Sequence, residues 1–485
     1  MPPEDNAALD PEDLETAIRV LRKAGAYNND HPDFIALRRA TATFFKDAKR
    51  ERRLKKRQSE AAADRAVVEL TATGSAQRID DETAGLPLTS TAKGASAGTL
   101  VVPRGCYICK EKYVVVDAFY HQLCPDCAAL SHAKRDARTD LTGRRALLTG
   151  GRAKIGMYIA LRLLRDGAEL TITTRFPRDA VRRFASLDDS GDWLHRLRVV
   201  GIDLRDPAQV VGLADDIASR GHLDILINNA AQTVRRQPGA YTPLAEAENT
   251  PLPEHLRAEN GGVPMLTFGH TSDLHPAALV GELDVHPVLA ADTKTADELT
   301  AVAMTAGSAD LSRIDAGGLV PDVVDTNSWV QGIGEVSELE LLEVQLCNQT
   351  APFILISRLR PALAASPARR TYVVNVSAME GQFGRRYKGP GHPHTNMSKA
   401  ALNMLTRTSA AEMLETDGIL MTAVDTGWIT DERPHTTKIR LADEGFKAPL
   451  DLVDGAARVY DPIVRGEAGE DLHGVFLKDY VASPW

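Results

Sequence analysis

An α/β fold with a doubly wound parallel sheet is predicted for most of this chain from two observations. A short apolar run, Ala146-Leu147-Leu148, breaks into a glycine-rich turn, after which apolar residues recur at helical spacing from Ile155 to Leu164. From Leu141 onward, strand-like and helix-like segments keep alternating, which is typical of parallel sheets covered by helices. The turn 149–156 joins a strand to a helix start, so its backbone N–H groups and glycines suit a bound phosphate.

The turn also carries a resemblance to a known family. Its sequence, Thr149-Gly-Gly-Arg-Ala-Lys-Ile-Gly156, resembles the Thr-Gly-x-x-x-Gly-x-Gly turn of the short-chain dehydrogenase/reductase superfamily, with Lys154 at the middle glycine. Further features follow in the family's order: Asp203-Leu204, Asn228-Asn229-Ala230-Ala231, Asn348, Val373 to Ser377, Ser398-Lys399, and Thr426-Gly427-Trp428-Ile429. The similarity covers about residues 140–231 and 338–485. It implies a Rossmann-like fold, an NAD(P) cofactor, and a homodimer or homotetramer.

The resemblance assigns a set of residues to the cofactor. They are Thr149, Gly150, Gly151, Arg152, Lys154, Ile155, Gly156, Arg175, Asp203, Leu204, Asn229, Ala230, Lys399, Gly427 and Ile429. Arg175 ends the predicted second strand, 170–174, where NAD-preferring relatives place an acid. An arginine there would pair with a 2′-phosphate, and Arg152 and Lys154 add positive charge nearby. NADP is therefore favoured over NAD, the alternative being that Arg175 is a plain surface arginine.

The same resemblance implies a reductase active site that departs from the family's pattern. Lys399 and Asn348 match the family's lysine and asparagine, whereas Thr395 stands at the tyrosine acid/base position and Ala378, next to Ser377, at the serine position. Threonine cannot replace a phenol as an acid. His392 lies seven residues before Lys399, a spacing that some divergent reductases use for their tyrosine, and imidazole titrates in the useful range. His394 and Tyr387 are weaker candidates.

Three functions remain open at this point. The first is an NADP-preferring oxidoreductase with an altered catalytic site, acting on a small-molecule substrate that the sequence does not identify. The second is a nucleotide-binding module that carries out no redox chemistry and acts as a scaffold or cofactor sensor, with Lys399 still holding the nicotinamide ribose. The third is a zinc-bearing protein that binds a partner or nucleic acid.

Four of the five cysteines form two Cys-x-x-Cys pairs, Cys106/Cys109 and Cys124/Cys127, with fourteen residues between the pairs. Two such pairs can close a tetrahedral thiolate site that suits zinc, with a spacing close to that of zinc ribbons and treble-clef fingers. A site with four cysteines leaves no open position, so the zinc is expected to be structural. His121 and His132 are alternative ligands, and Cys347 is expected to be a small buried hydrophobe.

Composition and segment patterns divide the 485 residues. We expect a helical region over 1–70 with helices at 11–25 and 31–66, a linker over 71–100, the cysteine module over 101–138 and the dehydrogenase-like domain over 139–485.

Residues 46–57 hold eight basic and two acidic residues; a solvated helix face is favoured over a nucleic-acid patch. The net charge of −9 gives no global reason to expect a nucleic-acid or anionic-membrane partner. The absence of an export-like start and of long apolar runs predicts a cytoplasmic protein without a membrane span.

A stretch of about a hundred residues, 232–336, interrupts the family's core and is rich in Pro, Gly, Asp and Ala. Its position after the Asn-Asn-Ala-Ala strand predicts that it lies above the carboxyl ends of the sheet. A lid, or a substrate or partner surface, is favoured over disorder. Arg235 and Arg236 are candidate anion contacts; the alternatives are a solvated pair and a structural ion pair.

Overall fold

The computed structural model describes residues 9–76, 78, 88–236, 238–269, 271–276, 317–320, 324–385, 388–429 and 432–485. The chain forms two compact units: residues 1–67 with 99–103, and residues 68–98 with 104–485. Among the described residues, no helix is both long and apolar enough to cross a membrane.

The first unit is built on two helices, as predicted. Helix α1 (Pro11–Ala24) begins at Asp10, whose carboxylate accepts the N–H of Glu12 at 2.8 Å. Helix α2 (Pro32–Glu69) carries the basic run 46–57 with its side chains almost entirely exposed. Lys55 pairs there with Glu51 one helical turn away at 2.8 Å. The exposure agrees with a solvated helix face.

The described part of the predicted linker 71–100 contains regular structure and backbone hydrogen bonds. Strand β1 (Ser96–Gly105) begins inside it. Thr73 is buried, and its N–H donates to the carbonyl of Phe119 at 2.9 Å. The N–H of Ala118 donates in turn to Ala95 at 2.9 Å. These backbone bonds hold the described parts of the stretch against the segment between β2 (Lys112–Asp117) and α3 (Pro125–Asp136).

The second unit contains the predicted doubly wound sheet. Its strands are β3 (Arg145–Leu148), β4 (Glu169–Thr174), β5 (Leu197–Gly201), β6 (Ile225–Asn228), β7 (Met265–Thr267), β8 (Thr371–Ser377), β9 (Ile419–Asp425), β10 (Phe476–Lys478) and β11 (Val481–Ser483). Their order is β11-β10-β9-β8-β6-β3-β4-β5-β7, with every pairing parallel except β10 with β11. The order reverses between β3 and β6, where such sheets bind ligands.

Helices cover both faces of this sheet. They are α4 (Lys154–Arg165), α5 (Pro177–Ala185), α6 (Pro207–Ser219), α7 (Thr242–Asn249), α8 (Glu338–Gln345), α9 (Ala351–Ala364), α10 (Pro393–Asp417), α11 (His435–Asp443) and α12 (Leu452–Glu467). Strand β3 shows why two cores form: Ala146 and Leu148 pack with α4 and α12, and Leu147 packs on the opposite side with α6 and α9.

The predicted insertion contributes an edge strand to the sheet, a result that the sequence did not indicate. Strand β7 pairs parallel to β5, with Met265 opposite Val199 and Thr267 opposite Gly201. Thus part of 232–336 extends the sheet sideways, in addition to any segment above its carboxyl ends. Residues 277–316 of the insertion lie outside the described residues.

Candidate active site

The glycine turn is tied to the end of β6. The Thr149 hydroxyl oxygen accepts the backbone N–H groups of Asn229 at 3.0 Å and Ala230 at 3.1 Å. The Asn229 amide donates in return to the carbonyls of Thr149 and Gly150, both at 3.1 Å. Gly150 has a φ of 69°, and a Cβ there would lie 2.9 Å from the Ala230 Cα. The turn can therefore take this path only with glycine at 150.

Helix α4 begins in the turn, and the N–H groups at a helix N-terminus favour an anion. Its preceding residue, Ala153, has no side chain that could cap them. A Cβ on Gly156 would lie 1.9 Å from the carbonyl oxygen of Gly150, so the helix and the turn touch there. Lys154 has a φ of 53°, a left-handed conformation that costs a non-glycine residue about 1–2 kcal/mol. The backbone keeps a glycine-like path at the position of the family's middle glycine.

The end of β4 presents an aromatic and cationic surface. The exposed Arg175 guanidinium lies 5.0 Å from the ring centroid of Tyr241 and 5.7 Å from that of Phe176. These two rings stack on each other at 6.0 Å. Tyr241 belongs to the insertion, so sequence comparison with compact relatives could not have found it. Arg152, also predicted at the cofactor, donates to Asp179 at 2.5 Å and to the Gly317 carbonyl at 2.6 Å.

The Asp203 carboxylate, which by the family resemblance would lie at the adenine of the cofactor, belongs to a charged network. Arg205 donates to it from Nη2 at 2.6 Å, and His275 Nε2 is 3.4 Å away. Burial raises the pKa of Asp203, but hydrogen bonds from His275 and Arg205 outweigh this effect, and the net pKa lies well below its usual range. Arg205 also donates to the buried Glu343 at 2.6 Å. Leu204 is buried, and contact of either predicted residue with adenine stays a prediction.

Lys399 and Asn348 occupy buried positions on neighbouring helices. Lys399 Nζ donates to the Val376 carbonyl at 2.8 Å, and burial lowers the pKa of Lys399 to about 8. The Asn348 amide donates to the Gln232 carbonyl at 2.8 Å and to the Ser398 hydroxyl at 3.4 Å. Asn348 lies in a π-helix, Leu346–Thr350, between α8 and α9. Such insertions are frequent at functional sites.

Thr395 and Ser377 do not form a hydroxyl pair at the reaction centre. Thr395 is buried, and its Oγ1 has no hydrogen-bond partner among the described residues. The Ser377 hydroxyl donates to Asn403 Oδ1 at 2.5 Å within the core. Catalytic roles for Thr395 and Ser377 therefore remain predictions. Neither hydroxyl group is an acid near neutral pH.

His392 is held in one orientation just before α10. Its Nδ1 donates to the Trp329 carbonyl at 2.8 Å, and its ring stacks on the Trp329 ring at 4.1 Å and 10°. Donation from Nδ1 leaves Nε2 as the nitrogen that gains or loses a proton, and Nε2 carries that proton only in the charged imidazolium. The backbone of His392 is left-handed, with a φ of 43°. Strain of this kind clusters at functional sites.

The two weaker candidates differ from His392. His394 is buried, its nearest acid is Glu340 at 4.0 Å, and burial lowers its pKa to about 4. Both ring nitrogens lack a hydrogen-bond partner within the described part of the chain. Tyr387 lies outside the described residues.

The loop after β9 is packed tightly against α4 and α12. Gly427 has a φ of 79° and donates its N–H to Asp425 at 2.9 Å. A Cβ on Gly455 of α12 would lie 2.3 Å from Ile429 and 3.2 Å from Ile155. Ile155 and Ile429, both predicted at the cofactor, thus pack against the same glycine of α12, Gly455.

The four paired cysteines form one cluster. The Sγ atoms of Cys106, Cys109, Cys124 and Cys127 all lie within 4.8 Å of one another. Zn–S bonds of about 2.3 Å in a tetrahedron place sulfurs roughly 3.8 Å apart, so the donor set fits zinc. The alternative ligands are engaged elsewhere: His121 Nδ1 lies 2.8 Å from the Thr73 hydroxyl, and His132 Nε2 lies 3.2 Å from Asp117.

The two arginines of the insertion form ion pairs. Arg235 Nε is 3.3 Å from the buried Glu343, and Arg236 Nη2 is 3.8 Å from Glu432. This supports the structural alternative over a free anion site. Glu340 and Glu343, which organise these contacts from α8, were not identified from the sequence, because carboxylates in a helical pattern ordinarily indicate a solvated face.

Comparison with known proteins agrees with this architecture. The family model for short chain dehydrogenases matches residues 144–250. An uncharacterized protein of Acanthamoeba polyphaga mimivirus is 31% identical over 373 residues, covering 74% of this chain and 71% of that protein. A probable oxidoreductase of Streptomyces antibioticus is 43% identical over 94 residues, which cover 19% of this chain and 30% of that protein.

Among solved structures, the Pseudomonas aeruginosa RhlG/NADP active-site complex matches 70% of this chain and 95% of its own, at 20% identity and a TM-score of 0.42. The glycine turn and the Asn-Asn-Ala-Ala strand end both lie within the residues that the family model matches. This chain is a member of the short-chain dehydrogenase/reductase family.

Proposed function

We propose that the protein is an NADP-preferring oxidoreductase with an altered proton donor, and that it carries one structural zinc. The observation that carries the cofactor proposal is the glycine turn. Cβ atoms at Gly150, Gly151 and Gly156 would each come within 3.0 Å of a neighbouring atom, and Ala153 offers no side-chain cap to the helix that begins there. A glycine backbone this closely packed at a helix N-terminus suits a pyrophosphate.

The preference for NADP is supported by Arg175. Its guanidinium lies over Tyr241 and remains exposed at the end of β4, where the ribose of a bound dinucleotide would lie in this family. A guanidinium can form bidentate hydrogen bonds to a phosphate. No acid of the NAD-preferring type occupies this position.

In the redox reaction, the bound dinucleotide would supply hydride to a carbonyl carbon of the substrate. His392, as the imidazolium, is proposed to give its Nε2 proton to the carbonyl oxygen and to become a neutral imidazole, because its Nδ1–H is committed to the Trp329 carbonyl. His392 immediately precedes α10, and Lys399 follows it by seven residues inside that helix. Lys399 would hold the nicotinamide ribose, and Asn348 would order water between them.

A second function is favoured by Thr395. Its buried, unpartnered hydroxyl has replaced the family's acid, while Lys399 and the glycine turn persist. A protein that binds the dinucleotide without turnover, as a scaffold or cofactor sensor, would have these features.

Turnover separates the two functions. We would measure NADPH oxidation with a panel of aldehydes, ketones and enoyl compounds, comparing wild type with His392→Ala. Loss of a general acid typically costs about 10²–10⁴-fold in rate, and NADPH affinity should remain unchanged. His394→Ala and the exposed His195→Ala serve as controls that should retain activity.

An active His392→Ala protein would exclude His392 as the proton donor. NADPH binding without turnover of any substrate in the panel would favour the sensor function.

A further inference from the structure

A hydrogen bond joins the cysteine module to the loop that follows β9. The phenol oxygen of Tyr107 accepts the backbone N–H of Trp428 at 2.9 Å, across 321 positions of sequence. Trp428 stands between Gly427 and Ile429, the two loop residues predicted at the cofactor.

The backbone of Tyr107 is fixed by the knuckle in which it lies. Cys106 and Cys109 flank it, and the N–H of Lys110 donates to the Cys106 carbonyl at 3.1 Å while Lys110 adopts a φ of 67°. The N–H of Tyr107 itself donates to the Gln122 carbonyl at 2.8 Å. A metal held by the two flanking thiolates would lock this turn, because both ends of the Tyr107 segment would then be anchored to one ion.

The module is also anchored to the helix behind the loop. The Tyr120 hydroxyl donates to Asp454 at 2.6 Å, and Arg135 donates to Asp451 at 2.6 Å, both at the start of α12. Arg78 donates to the carbonyls of Ala448 and Leu450 at 2.7 and 2.6 Å. Leu450 packs closely against the loop, because a Cβ added to Gly427 would lie 2.6 Å from the Leu450 Cδ1 atom. The loop is therefore held between the module and the sheet.

We propose that the cysteine module, through Tyr107, positions the loop after β9, which in this family lies beside the nicotinamide, so that metal bound by the four thiolates raises the affinity for the nicotinamide end of the dinucleotide. Tyr107 is a positioning residue in this scheme. The inference rests on the proposed cofactor function. Because coupling between two sites is reciprocal, the dinucleotide must also raise the affinity for the metal.

The test compares Tyr107→Phe with Tyr113→Phe. Tyr113 is a buried tyrosine of the same module, and its hydroxyl donates to the His121 carbonyl at 2.7 Å, so its loss costs the module a hydrogen bond without touching the loop. The loss of one neutral hydrogen bond should weaken NADPH binding about two- to tenfold in Tyr107→Phe. Tyr113→Phe should bind as wild type does. Adenosine 2′,5′-bisphosphate, which lacks the nicotinamide, should bind all three proteins equally.

Equal weakening of NADPH in both variants, or equal weakening of both ligands in Tyr107→Phe, would overturn the proposal. Removing zinc with a chelator and combining it with the variant completes a double-perturbation cycle. Zinc removal should weaken NADPH binding more in wild type than in Tyr107→Phe, because the variant has already lost the hydrogen bond between the module and the loop.

A readout without cofactor keeps this inference separate from the proposed function. The contribution of Trp428 among the four tryptophans is obtained by difference from Trp428→Phe. Acrylamide quenching of Trp428 should rise in zinc-loaded Tyr107→Phe and remain unchanged in Tyr113→Phe. If wild type binds no NADPH, the cofactor proposal fails; unchanged quenching in Tyr107→Phe would contradict the link between module and loop whatever the cofactor result.

Discussion

The Thr149 hydroxyl accepts the backbone N–H of Asn229 at 3.0 Å, joining the ends of β3 and β6 at the point where the strand order reverses. The Asn229 side chain returns hydrogen bonds to the carbonyls of Thr149 and Gly150. The turn is therefore held in shape by the protein's own bonds. A phosphate that binds there would not have to order it, which lowers the entropic cost of binding.

Gly156→Ala should disrupt this turn. Its Cβ would lie 1.9 Å from the Gly150 carbonyl oxygen, so the helix or the turn must move. We expect the free energy of unfolding to fall by about 1–3 kcal/mol and NADPH affinity to fall at least tenfold, measured by urea unfolding and calorimetry.

Gly191→Ala is the matched control, because nothing lies within 4 Å of a Cβ at that position. It should change neither quantity appreciably. Wild-type NADPH affinity in Gly156→Ala would mean that the dinucleotide does not use the turn.

The buried Lys399 predicts a dependence of stability on pH. Burial lowers the pKa of Lys399 from 10.5 to about 8 in the folded protein. Between these two values the unfolded chain binds more protons than the folded one, so the free energy of unfolding rises with pH through that window. Below about pH 8 the ammonium is charged in both states, and its contribution is constant and unfavourable.

Lys399→Met removes this titration. In urea unfolding at pH 7 to 10, wild type should gain stability relative to the variant as the pH rises above about 8, by roughly 1–3 kcal/mol. A difference between the two proteins that does not vary with pH would show that Lys399 is not desolvated as the structure indicates.

The sequence was sufficient for the doubly wound sheet, because apolar runs and turn residues repeat along 141–231 and 338–485. It did not predict β7, since Met265-Leu266-Thr267 is a three-residue strand bounded by Pro264 and has no periodicity of its own. The π-helix around Asn348 was also missed, because it shares the apolar spacing of the flanking α-helices.

Site geometry was predicted less completely, because it depends on contacts between distant segments. Spacing placed His392 near Lys399, but it could not show that Trp329 orients the ring. Spacing also placed Ser377 at the strand end, whereas the direction of its side chain toward Asn403 is decided by packing. The bond between Tyr107 and Trp428 has no local sequence signal.

The cysteine cluster predicts one zinc ion per chain in the purified protein. Elemental analysis should find it in wild type and in Cys347→Ser, the change at the fifth cysteine, which lies away from the cluster. Cys124→Ser should lose most of the zinc, and the melting temperature should fall, because structural zinc contributes directly to folding. Zinc-free wild type with an unchanged melting temperature would contradict the assignment.

We propose that the chain forms homodimers or homotetramers through α9, as the resemblance implies for this family. Phe353 on α9 is 57% exposed, so a second copy of the chain could bury this aromatic ring. Phe353→Glu should lower the molar mass measured by light scattering, while Leu130→Glu on α3 should leave it unchanged. A wild-type protein that is monomeric at micromolar concentration would contradict this proposal.

The most direct test of the central claim is calorimetric titration of zinc-loaded protein with NADPH and NADH, in wild type and in Arg175→Ala. Charged hydrogen bonds contribute about 1.5–3 kcal/mol each, so wild type should bind NADPH more than tenfold tighter than NADH. Arg175→Ala should lose most of that preference, whereas Arg358→Ala, which removes a surface arginine paired with Asp215, should keep it. Absence of binding by either dinucleotide would contradict the account, because the turn with Lys154 would then be closed to the cofactor.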